Sequence, residues 1–259
     1  MRYKRAQNSD ILQLRALWKQ AFGDTDAQID DFFRIAYPAC IPFAAYDGER
    51  AAGMLFALPQ TIFCGETQRA GAYLFAVATD EAYRRQGICR ALIAHTESVL
   101  RKKNFAYTFL VPGDDGLAAM YEKLGYRGAA RGETTLDAPA AAGAAEAVDA
   151  IAYAGLRETL LYDTPHVRYE KVWLDYEAAD AEFFALHLGG SLGCAAVSHQ
   201  PDGAVHIDEL LPDARYLPAL HQTIQAARYV MPERSEPMVK WLDEKAAVWP
   251  TFRIGFDFA

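Results

Sequence analysis

The sequence predicts a mixed α/β (α+β) fold: a mostly antiparallel sheet flanked by helices, followed by a second domain with the same strand rhythm. Three observations predict it. Two apolar runs meet at an Asp47-Gly48 turn, the mark of a β-hairpin. Helical patterns alternate with strands only beyond residue 79, so the sheet starts antiparallel. Residues 138–150 become small and Ala-rich, lose almost all large apolar side chains, and divide the chain.

Taken in order, residues 2–6 read as a short strand. Asp10 then caps a helix in which Ile11, Leu14, Leu17, Trp18 and Phe22 recur at helical spacing, and Gly23 stops it. A second helix starts near Thr25 or Asp26, uses Ile29, Phe32, Phe33 and Ala36, and ends before Pro38. The hairpin strands run from Ile41 to Tyr46 and from Ala51 to Leu58, and a further strand from Gly71 to about Thr79. After Gly87 comes a helix with Ala91, Leu92, His95, Val99 and Leu100 on one face. A strand from Phe105 to Val111 and a short helix from Gly116 to Leu124, closed by Gly125, complete the first domain, residues 1–136.

Residues 137–150 read as a linker passing into a helix that carries Val148, Ile151, Leu156 and Leu160. Residues 151–259 form the second domain. Its strands are expected over Phe183–Leu188, Leu192–Ser198 and Val205–Leu211, with a helix over Ala214–Tyr229 and strands over Met238–Leu242 and Phe252–Phe258.

The 259 residues, 52% of them hydrophobic, suffice for a sizeable core. Net charge is -8, which argues against nucleic acid as a partner, since phosphate backbones are held by basic surfaces. It only weakly favours a cationic substrate such as an amine, because mild acidity is more often just a solubility device. None of the four cysteines forms a C-x-x-C pair, and the six histidines have no metal-ligand spacing, so no metal is expected. No apolar run has the length of a membrane span and no leader pattern precedes the first strand. The expectation is a cytoplasmic protein without membrane contact, compatible with a homo-oligomer.

The chemistry-bearing segment is Ala76 to Ile93. An apolar strand enters a turn, Arg84-Arg85-Gln86-Gly87, and an amphipathic helix leaves it. Helix N-termini offer unpaired N–H groups and partial positive charge, a fit for pyrophosphate. Gly87 has no Cβ to hold an anion off the backbone, and two guanidinium groups stand beside it. A dinucleotide-binding turn would show three glycines soon after the first strand; here there is one, after several strands.

Arg84-x-x-Gly87-x-Cys89 resembles the (Arg/Gln)-x-x-Gly-x-(Gly/Ala) signature of the GNAT acetyltransferases, and the element order is similar to that family's. The resemblance is close over about residues 70–127. It implies a GNAT sheet, acetyl-CoA as donor, and an amine of a small molecule or peptide as acceptor. It further implies that Arg84, Arg85, Gln86, Gly87, Ile88, Cys89 and Arg90 surround the pyrophosphate, and that the backbone of Val77, Ala78 and Thr79 holds the pantetheine arm. A backbone N–H of that strand would steady the oxyanion of a tetrahedral intermediate. Cys89 departs from the usual Gly or Ala; it fits by size but tightens the contact, and no paired histidine marks it as a nucleophile.

Ala119-Met120-Tyr121-Glu122-Lys123-Leu124-Gly125-Tyr126 resembles the family's Phe-Tyr-x-x-x-Gly-Phe/Tyr segment, whose Tyr commonly protonates the departing thiolate. Tyr121 matches that position. Taken alone it reads as a core tyrosine; with the turn upstream it reads as the general acid. The sequence names no base: Asp80, Glu81, Asp114 and Asp115 lie close, but each also suits a turn or a helix cap. Phe32 and Phe33 either wall the acceptor pocket or simply pack their helix. The second half reads Glu209-Leu210-Leu211-Pro212-Asp213-Ala214-Arg215-Tyr216 where a phosphate turn would fall, without glycine, and so resembles a degenerate second GNAT domain. The alternative to an N-acetyltransferase is a non-catalytic acyl-CoA-binding or regulatory protein that keeps the cofactor turn.

Overall fold

The computed structural model describes residues 1–200, 202–243, 245 and 248–258. A short edge strand β1 (Arg2–Arg5) leads into α1 (Ile11–Phe22), which Gly23 ends in a left-handed cap at φ 77°. Helix α2 (Asp26–Asp31) opens on a Thr25/Gln28 capping box and widens into a π-turn over Phe32–Ala36. Three antiparallel strands follow: β2 (Ile41–Asp47), β3 (Arg50–Cys64) and β4 (Thr67–Thr79). Then come α3 (Ile88–Lys102), β5 (Tyr107–Leu110) and α4 (Asp115–Glu122).

The second half begins earlier than expected. β6 (Glu133–Asp137) and β7 (Ala144–Val148) are strands of a second sheet, so the Ala-rich stretch is not a linker throughout. Small side chains do not prevent pairing: Ala144–Val148 lies antiparallel to Phe183–His187. After these come α5 (Ala150–Leu160), β8 (His166–Arg168), α6 (Lys171–Glu177), β9 (Ala181–Leu188), β10 (Ser191–His199) and β11 (Val205–Leu211). The helix expected over 214–229 is only α7 (Leu217–Ile224), because Gln225 takes a left-handed conformation at φ 53° and stops it. The next residues, rich in Tyr, Val and Met, form β12 (Arg228–Pro232). β13 (Met238–Trp241) is the last strand. Residues 252–258, expected as a strand, form none; Arg253 makes a single bridge to His166.

The first sheet has the order β1-β2-β3-β4-β5-β13, with β8 on the far part of β3, and the second the order β6-β12-β11-β10-β9-β7. Among the strand pairs of the described residues, only β4–β5 and β11–β12 are parallel. The expected division into residues 1–136 and 151–259 therefore does not follow the sheets: β6 lies in the second, while β8 and β13 return to the first. The physical reason is edge protection: β13 covers the open side of β5, where Val239 and Met238 are almost fully buried.

One large core runs through both halves and includes Leu14, Phe56 and Phe109 together with Tyr153, Phe183 and Phe256. The C-terminal tail stitches them. Phe252 meets Tyr107 and Phe109 edge-on, Phe256 stacks on Tyr169 at 4.5 Å, and the Tyr169 hydroxyl accepts N–H bonds from Gly255 and Phe256. Beneath the tail Arg157, 1% exposed, binds Glu209 at 2.6 Å, and Glu209 also accepts from the Tyr153 hydroxyl. Burial works to raise the Glu209 carboxyl, but the Arg157 charge and these hydrogen bonds hold it below the usual range.

Phe256→Ala should thus destabilise both sheets together. Urea unfolding followed by tryptophan fluorescence and by far-UV dichroism should show one coincident transition, lowered by about 3–5 kcal/mol, the usual cost of truncating a buried aromatic.

Candidate active site

The site is built around a parting of strands. β4 pairs with β5 only at Gly71↔Tyr107, Ala72↔Thr108 and Tyr73↔Phe109. Beyond Tyr73 the two strands diverge, leaving that edge of β4 to residue 79 unpaired in the sheet. On the other edge, β4 carries an extra residue against β3 between Phe75 and Ala78, and Ala76 sits there at φ 47°. A bulge of this kind bends and twists its strand, which turns β4 away from β5. Val77 and Thr79 are half-buried and Ala78 is buried along the parted edge, so their backbone, rather than any distinctive side chain, is what the cleft offers.

At the end of β4 the chain turns into α3. Asp80 holds this turn: one oxygen accepts from the Ala82 N–H at 2.9 Å and the other pairs with Arg50 at 2.7 Å. Arg85, at φ 62°, and Gly87, at φ 78°, both take the left-handed conformation. Glycine does so freely, and a Cβ built on Gly87 would meet no protein atom within 4 Å, so the space before the helix is open. The start of α3 has no side-chain cap and no acidic residue in its first turn. Its first N–H groups therefore have no side-chain cap. Arg84, Arg85, Gln86 and Arg90 are exposed around it. Ile88 differs: its side chain is buried against Ala45 and Ala52, so only its backbone faces the opening. An uncapped N-terminus with adjacent guanidinium groups is a cradle that a diphosphate fits.

Tyr121, on α4, is 6% exposed, lies edge-on to Tyr126, and makes no hydrogen bond through its hydroxyl among the described residues. Burial, and then the neighbouring Cys89, raise its phenol well above the ordinary value, so it stays protonated at neutral pH. Tyr73 of β4 is near enough to be raised in turn by Tyr121. The structure therefore brings Tyr121, Cys89 and β4 together around the parted strands. Glu97, Thr108 and Lys240 fix Tyr126 behind them: the Tyr126 hydroxyl bonds Glu97 at 3.0 Å and Thr108 at 3.1 Å, and Lys240 of β13 donates to Glu97 at 2.6 Å.

The four carboxylates near the turn in sequence have structural positions. Asp80 caps the turn, Glu81 pairs with Arg84 at 3.5 Å, Asp114 caps α4 by accepting from the Leu117 N–H at 2.7 Å, and Asp115 lies in the first turn of α4. Phe32 is fully buried among Trp18, Phe56 and Phe75. Phe33 faces an open groove of about 740 Å³ beside β1 and β2, at the opposite side of the sheet from β5.

Sequence reading missed a smaller cavity of about 120 Å³. Trp18, Asp24, Gln28 and Asp31 from the α1–α2 region form one side; Tyr176, Glu177, Asp180, Ser198 and Asp208 from the second half form another; Asp257 and Phe258 of the tail close it. Burial, followed by Asp208, Asp257 and Asp180, raises Glu177 well above the usual carboxylate range. His206 donates through Nδ1 to Asp208 at 3.0 Å and is itself raised, first by that contact. No local motif marks these residues, which come from segments more than 200 positions apart.

Cys89 is half-buried, and burial pushes its thiol up to about 11. A raised thiol pKa leaves only about 0.1% thiolate at pH 8, and the thiolate is the reactive form. Peptide mapping over time after iodoacetamide treatment at pH 8 should find Cys89 modified far more slowly than free glutathione in the same solution.

The sequence model of the Acetyltransferase (GNAT) domain family matches residues 2–129. No curated protein sequence matches the chain significantly. Among solved structures, a GCN5-related N-acetyltransferase from Kribbella flavida superposes with a TM-score of 0.71 at 16% identity, over 95% of this chain and 73% of that one. A GCN5-related N-acetyltransferase from Anabaena variabilis gives 0.68 at 16% identity, over 97% and 71%. A conserved protein from Enterococcus faecalis gives 0.67 at 16% identity, over 93% of this chain but only 65% of its own. At such identities the likeness is one of fold, and it extends across both sheets. Family match and fold agree that residues 2–129, just under half of the chain, are an acetyltransferase domain of the GNAT family.

Proposed function

We propose that the protein is an N-acetyltransferase that moves an acetyl group from acetyl-CoA to an amine of a small molecule or peptide, by direct transfer through a tetrahedral intermediate. The observation that carries this is the convergence of three unfilled features: the uncapped start of α3, the unpaired edge of β4, and the unpartnered hydroxyl of Tyr121. In this reading the amides of residues 85–90, with the Arg84 and Arg85 charges, hold the donor's diphosphate. The backbone of Val77, Ala78 and Thr79 holds its pantetheine arm, and a β4 N–H steadies the oxyanion.

The balance of the reaction assigns the remaining roles. The acceptor ammonium must first lose a proton, because only the neutral nitrogen attacks. The new C–N bond forms first and gives the tetrahedral intermediate; its collapse then breaks the C–S bond, the nitrogen gives up a second proton, and the leaving sulfur takes one. Tyr121 supplies that last proton: burial keeps the phenol protonated, and the phenolate it leaves, a stronger base than the thiolate, is reprotonated by the proton that the nitrogen releases or from solvent. A non-catalytic acyl-CoA-binding role would give Tyr121 no task, which favours the enzyme.

Within this scheme residues 1–136 carry the chemistry. The second half is a degenerate GNAT-like domain: where a phosphate turn would lie, Asp213 instead caps a 3-10 turn and Glu209 is committed to Arg157. The chain's free cysteines suit a reducing compartment such as the cytoplasm, and no helix among the described residues is long and apolar enough to cross a membrane.

Thiol release from acetyl-CoA across an amine panel tests the proposal. Tyr121→Phe should lower kcat about 10²-fold or more, the range for losing a general acid, while calorimetric affinity for coenzyme A stays within twofold of the parent. Thiol release that is unchanged in Tyr121→Phe removes the tyrosine from the mechanism.

A further inference from the structure

The cavity between the two halves is unusually acidic for its size. Asp24, Asp31, Glu177, Asp180, Asp208 and Asp257 surround about 120 Å³, and no Lys or Arg lines it among the described residues. Several of these carboxylates have partners outside it: Asp24 accepts from the Trp18 indole at 2.6 Å, Asp31 pairs with Arg34, and Asp257 with Arg131 at 3.3 Å. Asp208 is different. One of its oxygens meets His206, but Oδ2 is fully buried and has no hydrogen-bond partner among the described residues. A buried carboxylate oxygen without a donor is costly, and the cost is relieved when a ligand supplies the donor. Glu177 stands beside it on α6 with no ion pair of its own among the described residues. The aromatic walls, Trp18, Tyr176 and Phe258, offer π faces, which also attract ammonium groups.

The cavity adjoins the proposed reaction centre. Phe258 lies 6.2 Å from the Tyr73 ring and 6.3 Å from the Phe75 ring, and the Tyr73 hydroxyl donates to the Asp257 carbonyl at 2.9 Å. Phe75 immediately precedes Ala76, where β4 bulges. Phe258, Tyr73 and Phe75 thus join the wall of the cavity to β4 beside the parted strands.

We infer that the acceptor is a small amine bearing a second cationic group, a diamine or polyamine, whose non-reacting ammonium is held in this cavity by Asp208 and Glu177. The inference rests on the acetyl-transfer reading above and narrows it. The volume suits an ammonium on a short methylene chain and excludes a folded peptide segment.

The test uses the full chain with acetyl-CoA and two acceptors, spermidine and n-hexylamine. Spermidine should have a kcat/KM at least about tenfold higher, as expected when a desolvated charge contact is gained. Glu177→Gln and Asp208→Asn should each raise the spermidine KM about tenfold and leave the n-hexylamine KM and the coenzyme A affinity in place. Asp180→Asn, at an exposed position on the same cavity, should raise it less, and provides a second readout if a buried variant does not fold. Equal kcat/KM for the two amines, or a spermidine KM that none of the variants moves, would overturn the inference. Calorimetry with spermidine on the coenzyme A complex separates the two levels. If spermidine binds, the variants weaken it and no thiol is ever released, the cavity assignment stands and the acetyl-transfer reading falls. If thiol is released from monoamines while spermidine fails to bind, the reverse holds.

Discussion

Where β4 leaves β5 after Tyr73, a parallel pair of strands gives up its hydrogen bonds in the interior of the sheet. Such groups are ordinarily satisfied, and a strand edge left open in a folded domain invites something to fill it. The rest of the first half is arranged around that opening. The bulge at Ala76 bends β4 away, Asp80 with Arg50 pins its end, and the turn through Arg85 and Gly87 aims the start of α3 at the mouth. Five residues other than glycine have positive φ among the described residues: Ala76, Arg85, Asn104, Gln225 and Phe258. Asn104 and Gln225 follow helices; the other three lie at the bulge, the turn and the acidic cavity. Left-handed backbone costs such residues roughly 1–2 kcal/mol, and its concentration here agrees with a functional purpose.

The second half completes this site as well as extending the chain. β13 lies on β5 and brings Lys240 to Glu97, which helps to fix Tyr126 behind Tyr121. The tail then crosses back, buries Phe252 and Phe256 in the common core, and lays Asp257 and Phe258 against Tyr73. An acceptor would meet both halves at once, while a donor held at α3 and β4 would meet only the first.

Features written in contiguous residues were legible in the sequence. The β2–β3 hairpin, the Gly23 stop and the turn from Arg84 to Gly87 each depend on a few neighbours and a local conformation, and the structure has all three, with the hairpin loop at Gly48-Glu49, one residue beyond the expected Asp47-Gly48. Features decided by distant partners were not legible. Ala144–Val148 shows no strand pattern because its pairing comes from β9, and Met238–Trp241 shows strand pattern but nothing to say that its partner is β5. The helix expected as far as Tyr229 stopped at Ile224 because Gln225 adopts a conformation that no composition rule assigns to glutamine. The acidic cavity was invisible for the same reason, since Asp24, Glu177 and Asp208 become neighbours only when the tail closes over them.

The central claim is electrostatic: the amides that open α3, unblocked by any side chain, take up a diphosphate. Amide chemical shifts measured while coenzyme A is titrated into the full chain address it directly. The account predicts saturable shifts concentrated at residues 85–90 and 77–79, with little change in β9, β10 and β11. Absence of saturable shifts at 85–90, or shifts confined to the second sheet, would contradict it.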